Sequence, residues 1–409
     1  MWLATIAIAA LYAGSTILTP LYPLYRTAFG ISPLMVTIVY AVYVIGNLTV
    51  LFLFGRLSDQ LGRRIVTLMA FGLTLASALV FLFASGPASL LLGRAINGFA
   101  AGLGAGALTA WIAELEPRSN RARAAVVASA GNLGGLAVGG ALSGLFAQYL
   151  PSPLRTIFLL YLGVLLITTF LVLRVNETLE RKVHALGELE LRPRVGVPAD
   201  IRLQFMAPAC MAFAAFAIGG FFSALTPGLI TRELQISNVA VIGGIVTLFF
   251  VAACLTAALS RSLASWAAMF SGAGCVFPAV ALLIGAELLR SMPILALAAA
   301  VGGAAMALSY RGSLQVVNEI APQEKRAEVV SSYLMMCYLG NALPVLGVGL
   351  LGTALSPPRA HGIFALVVAA LAVTAIFTGV VGKRRERQRQ QGRSQTAQPR
   401  RRATSSQAH

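Results

Sequence analysis

The sequence predicts an all-α membrane protein, with twelve transmembrane helices arranged as two pseudo-symmetric six-helix bundles. Three observations carry that prediction: an apolar composition, twelve apolar runs of spanning length, and one loop that recurs in both halves. Of the 409 residues, 58% are hydrophobic and 11% charged, and the mean hydropathy is +0.81. Ordinary soluble domains carry about a quarter charged residues. A soluble chain this apolar could not cover its surface, which argues against a cytosolic enzyme.

A helix crossing about 30 Å of hydrocarbon needs about 20 apolar residues. Such runs occur at 3–25, 33–55, 65–86, 88–112, 122–148, 155–175, 204–230, 237–259, 262–285, 292–317, 327–352 and 360–381. The first lacks the basic n-region of a signal peptide and is long enough to span. The longest polar stretch between runs lies near the middle. It holds Asn176-Glu177-Thr178, Arg181-Lys182 and a Pro/Gly run at Pro193–Pro198, and reads as a linker. The expected organisation is an N-terminal bundle over 1–175, a cytoplasmic linker over 176–203, a C-terminal bundle over 204–382 and a basic disordered tail over 383–409.

The charge is lopsided, with 31 Lys+Arg against 14 Asp+Glu and a net +17. Nucleic acid needs a large solvated surface that this chain lacks, so no nucleic-acid partner is expected; the partner is the lipid bilayer. With both termini placed on the cytoplasmic side of the cell membrane, 24 of the 31 basic residues fall inside and five outside. Arg94 and Arg311 lie within spans. That bias follows the positive-inside rule. Nine of the inner residues belong to the tail Lys383–Arg402, which is too polar to fold alone. Near an anionic leaflet each is worth about 1 kcal/mol of attraction.

The loop after the fourth run reads Glu114-Leu-Glu-Pro117-Arg-Ser-Asn-Arg121-Ala122, and the loop after the tenth reads Glu319-Ile-Ala-Pro322-Gln-Glu-Lys-Arg326-Ala327. Glu, Pro, Arg and Ala recur at one offset of 205, and Gly135 and Gly340 extend the register. Helix-ending loops favour such residues in general, but four identities between spans six apart point to duplication. Paired six-helix repeats describe an alternating-access transporter, with substrate near the midplane between halves.

The loop after the second run, Gly55-Arg56-Leu57-Ser58-Asp59-Gln60-Leu61-Gly62-Arg63-Arg64, resembles the loop motif of the major facilitator superfamily. The resemblance covers all twelve spans and the linker, and implies that family's fold. Gly55 and Gly62 permit a tight turn and close helix approach. Asp59 is the one acid in the loop, among Arg56, Arg63 and Arg64. The resemblance implies that Asp59 meets the N-terminal end of span 11 near Arg326, where unpaired N–H groups favour an anion, and so gates the cytoplasmic side. The alternative is that Asp59 merely balances its arginines. The equivalent second-half loop, around Ser260-Arg261-Ser262, has no acid, so the lock is expected to be lopsided.

Arg94 stands in Gly93-Arg94-Ala95-Ile96-Asn97-Gly98, about six residues into span 4. A charge there is costly unless it meets a cavity or a partner. The stretch resembles the superfamily's span-4 arginine motif, whose arginine is linked to proton coupling in antiporters. The alternative is an arginine snorkelling to the outer interface. Arg311, followed by Gln315, Asn318 and Glu319, puts one polar stripe on span 10. It is expected either to line the cavity or to anchor the span near the membrane surface. Arg94, Asn97, Arg311 and Gln315 are therefore the candidate coupling or cavity residues.

Gly98 and Gly102 in span 4, with Gly131, Gly135, Gly139 and Gly140 in span 5, have the spacing that lets helices approach closely. The span-5 run resembles the superfamily's antiporter motif, except that Leu136 stands where that motif has proline. Plain helix packing would also explain these glycines.

Every acid lies outside the middle of the predicted spans. A carrier of cations commonly needs a buried carboxylate, so a neutral or anionic substrate is expected, with Glu114 and Glu319 as fallback proton carriers. No phosphate-binding loop is present, and neither an enzymatic activity nor a cofactor or metal is expected. His184, His361 and His409 read as bystanders, and Cys210, Cys254, Cys275 and Cys337 lack metal or redox spacing. Tyr12, Tyr22, Tyr25, Tyr40 and Tyr43 could line a cavity or form an interfacial belt, and Tyr22 and Tyr25, near the outer face, fit the belt better. The chain thus reads as a monomeric transporter, most simply exporting a neutral or anionic metabolite or drug in exchange for protons. Uptake of an anionic nutrient, or a receptor built on a transporter fold, is the alternative.

Overall fold

The computed structural model describes residues 1–55, 57–178 and 195–404, with the side chains of 121, 122 and 384–404 left out. Arg56, Arg181, Lys182 and Pro193 lie outside the described residues, as does the Arg121 side chain. Twelve helices are long and apolar enough to span. They are span 1 (Trp2–Phe29), span 2 (Pro33–Phe54), span 3 (Arg63–Leu82), span 4 (Pro87–Glu114), span 5 (Arg121–Tyr149) and span 6 (Pro153–Leu173). The second half holds span 7 (Ala199–Arg232), span 8 (Val239–Ser262), span 9 (Ser265–Leu288), span 10 (Met292–Ile320), span 11 (Gln323–Leu351) and span 12.

Local sequence sets most of the boundaries. Ser32, Asn120 and Asn238 cap spans 2, 5 and 8 by accepting from the backbone N–H three residues on. Proline opens spans 2, 4, 6 and 10 in the first turn, where its missing N–H costs nothing. The helix of span 12 begins at Pro357, and its backbone continues to Thr404.

Spans 1 and 7 are both broken. A 3₁₀ turn at Thr19–Leu21, containing Pro20, separates Trp2–Ile17 from Tyr22–Phe29. In span 7 a π-helical segment at Phe221–Leu225, followed by Pro227, separates Arg202–Gly220 from Thr226–Arg232. Proline removes a backbone donor, and the π turn widens the ladder to absorb the loss.

Helix packing repeats between halves. Span 1 packs on spans 4, 5 and 6, span 4 on spans 2 and 3, and span 3 on span 6; adding six to each number gives the chief pairings of the second half. Across the interface span 5 packs on span 8 and span 2 on span 11, and the same relation exchanges these two contacts. Glycine permits the closest approaches. A Cβ on Gly135 would stand 2.3 Å from the Ala9 carbonyl oxygen of span 1, and one on Gly340 2.3 Å from that of Phe213 in span 7. Gly98 and Gly303 form a second pair at the same offset, each meeting a carbonyl (Tyr43, 2.2 Å; Phe249, 2.1 Å). Gly102 faces Val50, Gly131 and Gly139 face span 1, and Gly140 faces Val246 of span 8.

Candidate functional site

Between the halves lies a cavity of about 560 Å³. Spans 1, 2, 4, 5, 7, 8, 10 and 11 all contribute to it. Its lining reaches Thr109, Ala125, Ala258, Arg261 and Gln315, near the ends of spans 4, 5, 8 and 10. It therefore extends toward the face that carries the Asp59 loop, called here the basic face. Toward the opposite face the halves meet closely. Gly144 abuts Gly243, Gly349 abuts Thr37, and Val239 N–H donates to Gln148 Oε1 at 2.8 Å. Tyr40 Oη donates to Asn341 Oδ1 at 2.9 Å, tying span 2 to span 11 within the cavity wall.

The wall is aromatic and amide-rich: Tyr12, Tyr40, Tyr43, Phe216, Tyr310 and Tyr338 stand with Asn47, Asn132 and Asn341. No Asp or Glu among the described residues lines it. Of the sequence candidates, Arg311 and Gln315 do line it. Arg311 is also an anchor, because its guanidinium donates to the carbonyls of Ser260, Arg261 (2.8 Å) and Leu263 (3.0 Å). It holds the C-terminal end of span 8, whose last carbonyls lack helical partners.

Arg94 and Asn97 do not line the cavity; they are buried behind its wall. Arg94 is 0% exposed, so it does not snorkel. Its Nη1 donates to Ser15 O at 2.9 Å and its Nη2 to Tyr22 Oη at 2.6 Å, with the guanidinium 5.7 Å and 5.5 Å from the Tyr22 and Tyr43 ring centres. Cation–π contact and three nearby phenols disperse a charge that would be prohibitive in bare hydrocarbon. Tyr22 and Tyr25 are buried in this cluster rather than forming a belt. Among the described residues, Arg94 Nε, Asn97 Oδ1 and Tyr25 Oη have no hydrogen-bond partner. Ser15 and Tyr43 touch both this cluster and the cavity.

The motif loop builds a separate charge cluster at the basic face. Gly62 adopts φ +108°, a conformation that favours glycine, and lets the chain turn into span 3. Gly55 does not need that freedom, since its φ is −59°. Buried Arg63 pairs with Asp59, with Ser58 Oγ at 2.8 Å and with Glu114 Oε1 at 2.9 Å. Glu177 accepts from the backbone N–H groups of Arg63 and Arg64 at 2.9 and 3.2 Å, capping span 3 where Gly62 offers no side chain. Arg64 donates to Leu173 O at 2.7 Å, and Glu114 also accepts from Thr178. In the second half, Glu319 accepts from Ser265 at the start of span 9, the positional counterpart of Glu114 with Arg63. Asp59 is 59% exposed on its Arg63 partner, and Arg326 is exposed at the head of span 11.

Sequence reasoning missed one buried pair. Glu287 and His361 are 5% and 6% exposed, with His361 Nδ1 2.9 and 3.0 Å from the two Glu287 carboxylate oxygens. Span 9 runs to Leu288, so Glu287 lies inside a span rather than beyond it, and His361 stands in the first turns of span 12, which starts at Pro357. The structure thus gives His361 a buried carboxylate partner that the sequence did not lead one to expect.

The Major Facilitator Superfamily model matches residues 4–343. Quinolone resistance protein NorA from Staphylococcus aureus strain MRSA252 is 24% identical over 240 residues, 57% of this chain and 60% of that protein. NorA of strain Mu50 is 26% identical over 140 residues, 36% of its length. The chain thus spans about a third to three-fifths of these relatives. Among solved structures, the D-xylose-proton symporter superposes with a TM-score of 0.72 at 15% identity, covering 91% of this chain and 96% of that one. An inward-facing, unoccupied bacterial homologue of the lysosomal transporter Spinster gives 0.64 at 16%, covering 93% and 94%.

Proposed function

The chain belongs to the major facilitator superfamily, and from that premise we propose that it exports a neutral or anionic small molecule across the cytoplasmic membrane in exchange for protons. One observation carries the substrate class: the cavity between the halves has tyrosine and amide walls and no carboxylate among the described residues. An organic cation entering it would lose hydration without gaining a counter-ion. A planar aromatic solute would instead stack on tyrosine rings, while Asn47, Asn132 and Asn341 bond to its oxygens.

The basic face is cytoplasmic under this proposal, as the distribution of Lys and Arg favours, so the cavity faces inward. Closing that face would bring the Asp59 loop to the head of span 11, moving Asp59 from Arg63 toward the free N–H groups there. Arg94 would relay the state of the cavity through Ser15 and Tyr43 to the opposite seal. Uptake of an anionic nutrient is less well supported, because Arg311 already donates to three carbonyls.

The test is flux in proteoliposomes under an imposed pH gradient. The relatives' name suggests a quinolone as first probe, followed by neutral aromatics and aromatic acids, with an organic cation as the control. Gradient-dependent exchange that reverses with the gradient is expected for the neutral or anionic probes. Absence of proton-coupled flux for all of them would sink the antiport reading.

A further inference from the structure

The buried Glu287–His361 pair lies away from the central cavity, and its crevice meets the Arg94 cluster at Tyr22. His361 opens on a second, smaller crevice between the halves at the opposite face. The N-terminal half gives that crevice Tyr22 and Arg26 from the tip of span 1; the C-terminal half gives Arg232 and Glu233 after the break in span 7. The His361 ring lies edge-on to Phe221, 5.1 Å between centres, and Phe221 begins the π-helical segment. A titratable pair therefore touches the one π turn among the described residues, at the place where the halves are sealed.

We propose that Glu287 and His361 form a proton-binding site, loaded from the opposite face, whose occupancy keeps that face closed. The imidazole is the side chain that changes charge between pH 5 and 8. With Nδ1 committed to Glu287, Nε2 takes its proton from a hydronium ion in the crevice: an N–H bond forms as one O–H bond of the hydronium breaks, leaving a water molecule. Loaded, the site is a carboxylate–imidazolium pair of zero net charge and can stay buried. Emptied, it leaves a carboxylate inside a membrane span, which favours readmission of water and loosening of the seal.

The other charged and titratable groups around the crevice are Arg26, Arg232, Glu233 and Tyr22, the last already bonded to Arg94. Arg26 and Arg232 line the crevice from opposite halves, so closure there holds like charges near one another. Neighbouring Arg290 and Arg359 are exposed. Within the proton-coupled reading above, on which this inference rests for its purpose, the site supplies a proton acceptor that the cavity lacks.

The test uses the full chain in lipid nanodiscs and needs no substrate. Isotope-labelled histidine, in a His184→Gln, His409→Gln background, reports the single remaining imidazole. The expected result is an imidazole that changes protonation with the pH of the medium, along a curve that moves when Glu287→Gln removes its carboxylate partner. Hydrogen exchange over 22–30 and 221–234, corrected for intrinsic rates, should be several-fold faster at pH 8 than at pH 5.5. Glu287→Gln should abolish or invert that difference, and His361→Asn should abolish it. An imidazole that does not titrate, or exchange equally pH-dependent in both variants, would overturn the proposal. If the pH response is present but no probe is transported, the proton site stands and the export reading fails. If export is proton-coupled and stays so in His361→Asn, the proton site fails and the export reading stands.

Discussion

The two halves share their packing and differ in their charges. Helix pairings and carbonyl-facing glycines repeat across the offset, as with Gly98 and Gly303 or Gly135 and Gly340. The charged groups do not follow. The first half gathers Asp59, Arg63, Glu114 and Glu177 at the basic face and buries Arg94 among tyrosines. The second half replaces the Arg63–Glu114 contact with Ser265–Glu319 and buries a Glu287–His361 pair near the other face. Close helix contact tolerates few side chains, because any Cβ there meets backbone. Charged positions lie at helix ends and in cavities, where many solutions are sterically allowed.

The sharpest way to break the comparison is to fill the repeated contacts. Gly135→Leu and Gly340→Leu should each cost about 3 kcal/mol or prevent folding, read as unfolding temperature in detergent, and by similar amounts. Tolerance of one alone would undo the packing equivalence. Arg94→Leu comes next. It loses two hydrogen bonds and leaves Ser15 O and Tyr22 Oη without that partner, for about 2 kcal/mol, and should abolish proton-coupled flux. Arg63→Gln should cost about 1 kcal/mol, since its carboxylate partners are partly exposed. Ser265→Ala, its second-half counterpart, should cost less, because a hydroxyl pairs more weakly with a carboxylate than a guanidinium does. Asp59→Asn should change stability by less than about 0.5 kcal/mol yet impair transport. Wild-type flux in that variant would remove its gate role.

The fold was legible because it is written in one-dimensional signals. Spans follow from hydropathy, and the duplication follows from the Glu114 and Glu319 loops. The cavity wall was only partly legible. Tyr12, Tyr40 and Tyr43 were candidate lining residues, and the Arg311 stripe marked the inward side of span 10 beside Tyr310, but Tyr338 and Asn341 sit in span 11, where no amphipathic face marks the one that turns inward. Arg94 was visible as a costly charge, whereas the tyrosines that receive it come from spans distant in sequence. Glu287 and His361 escaped for a simpler reason. Each lies within a few residues of a span end, where moving a boundary by one turn decides between solvent and interior.

The breaks in spans 1 and 7 have a mechanical consequence. Beyond each break only a short tip remains, Tyr22–Phe29 and Thr226–Arg232, and the two tips touch each other across the halves. Local bending at Pro20 and at the π turn can therefore move the tips while the long rods stay still. Under the export reading, such a hinge would let one doorway shut before the other opens, through a fully enclosed intermediate rather than an open pore.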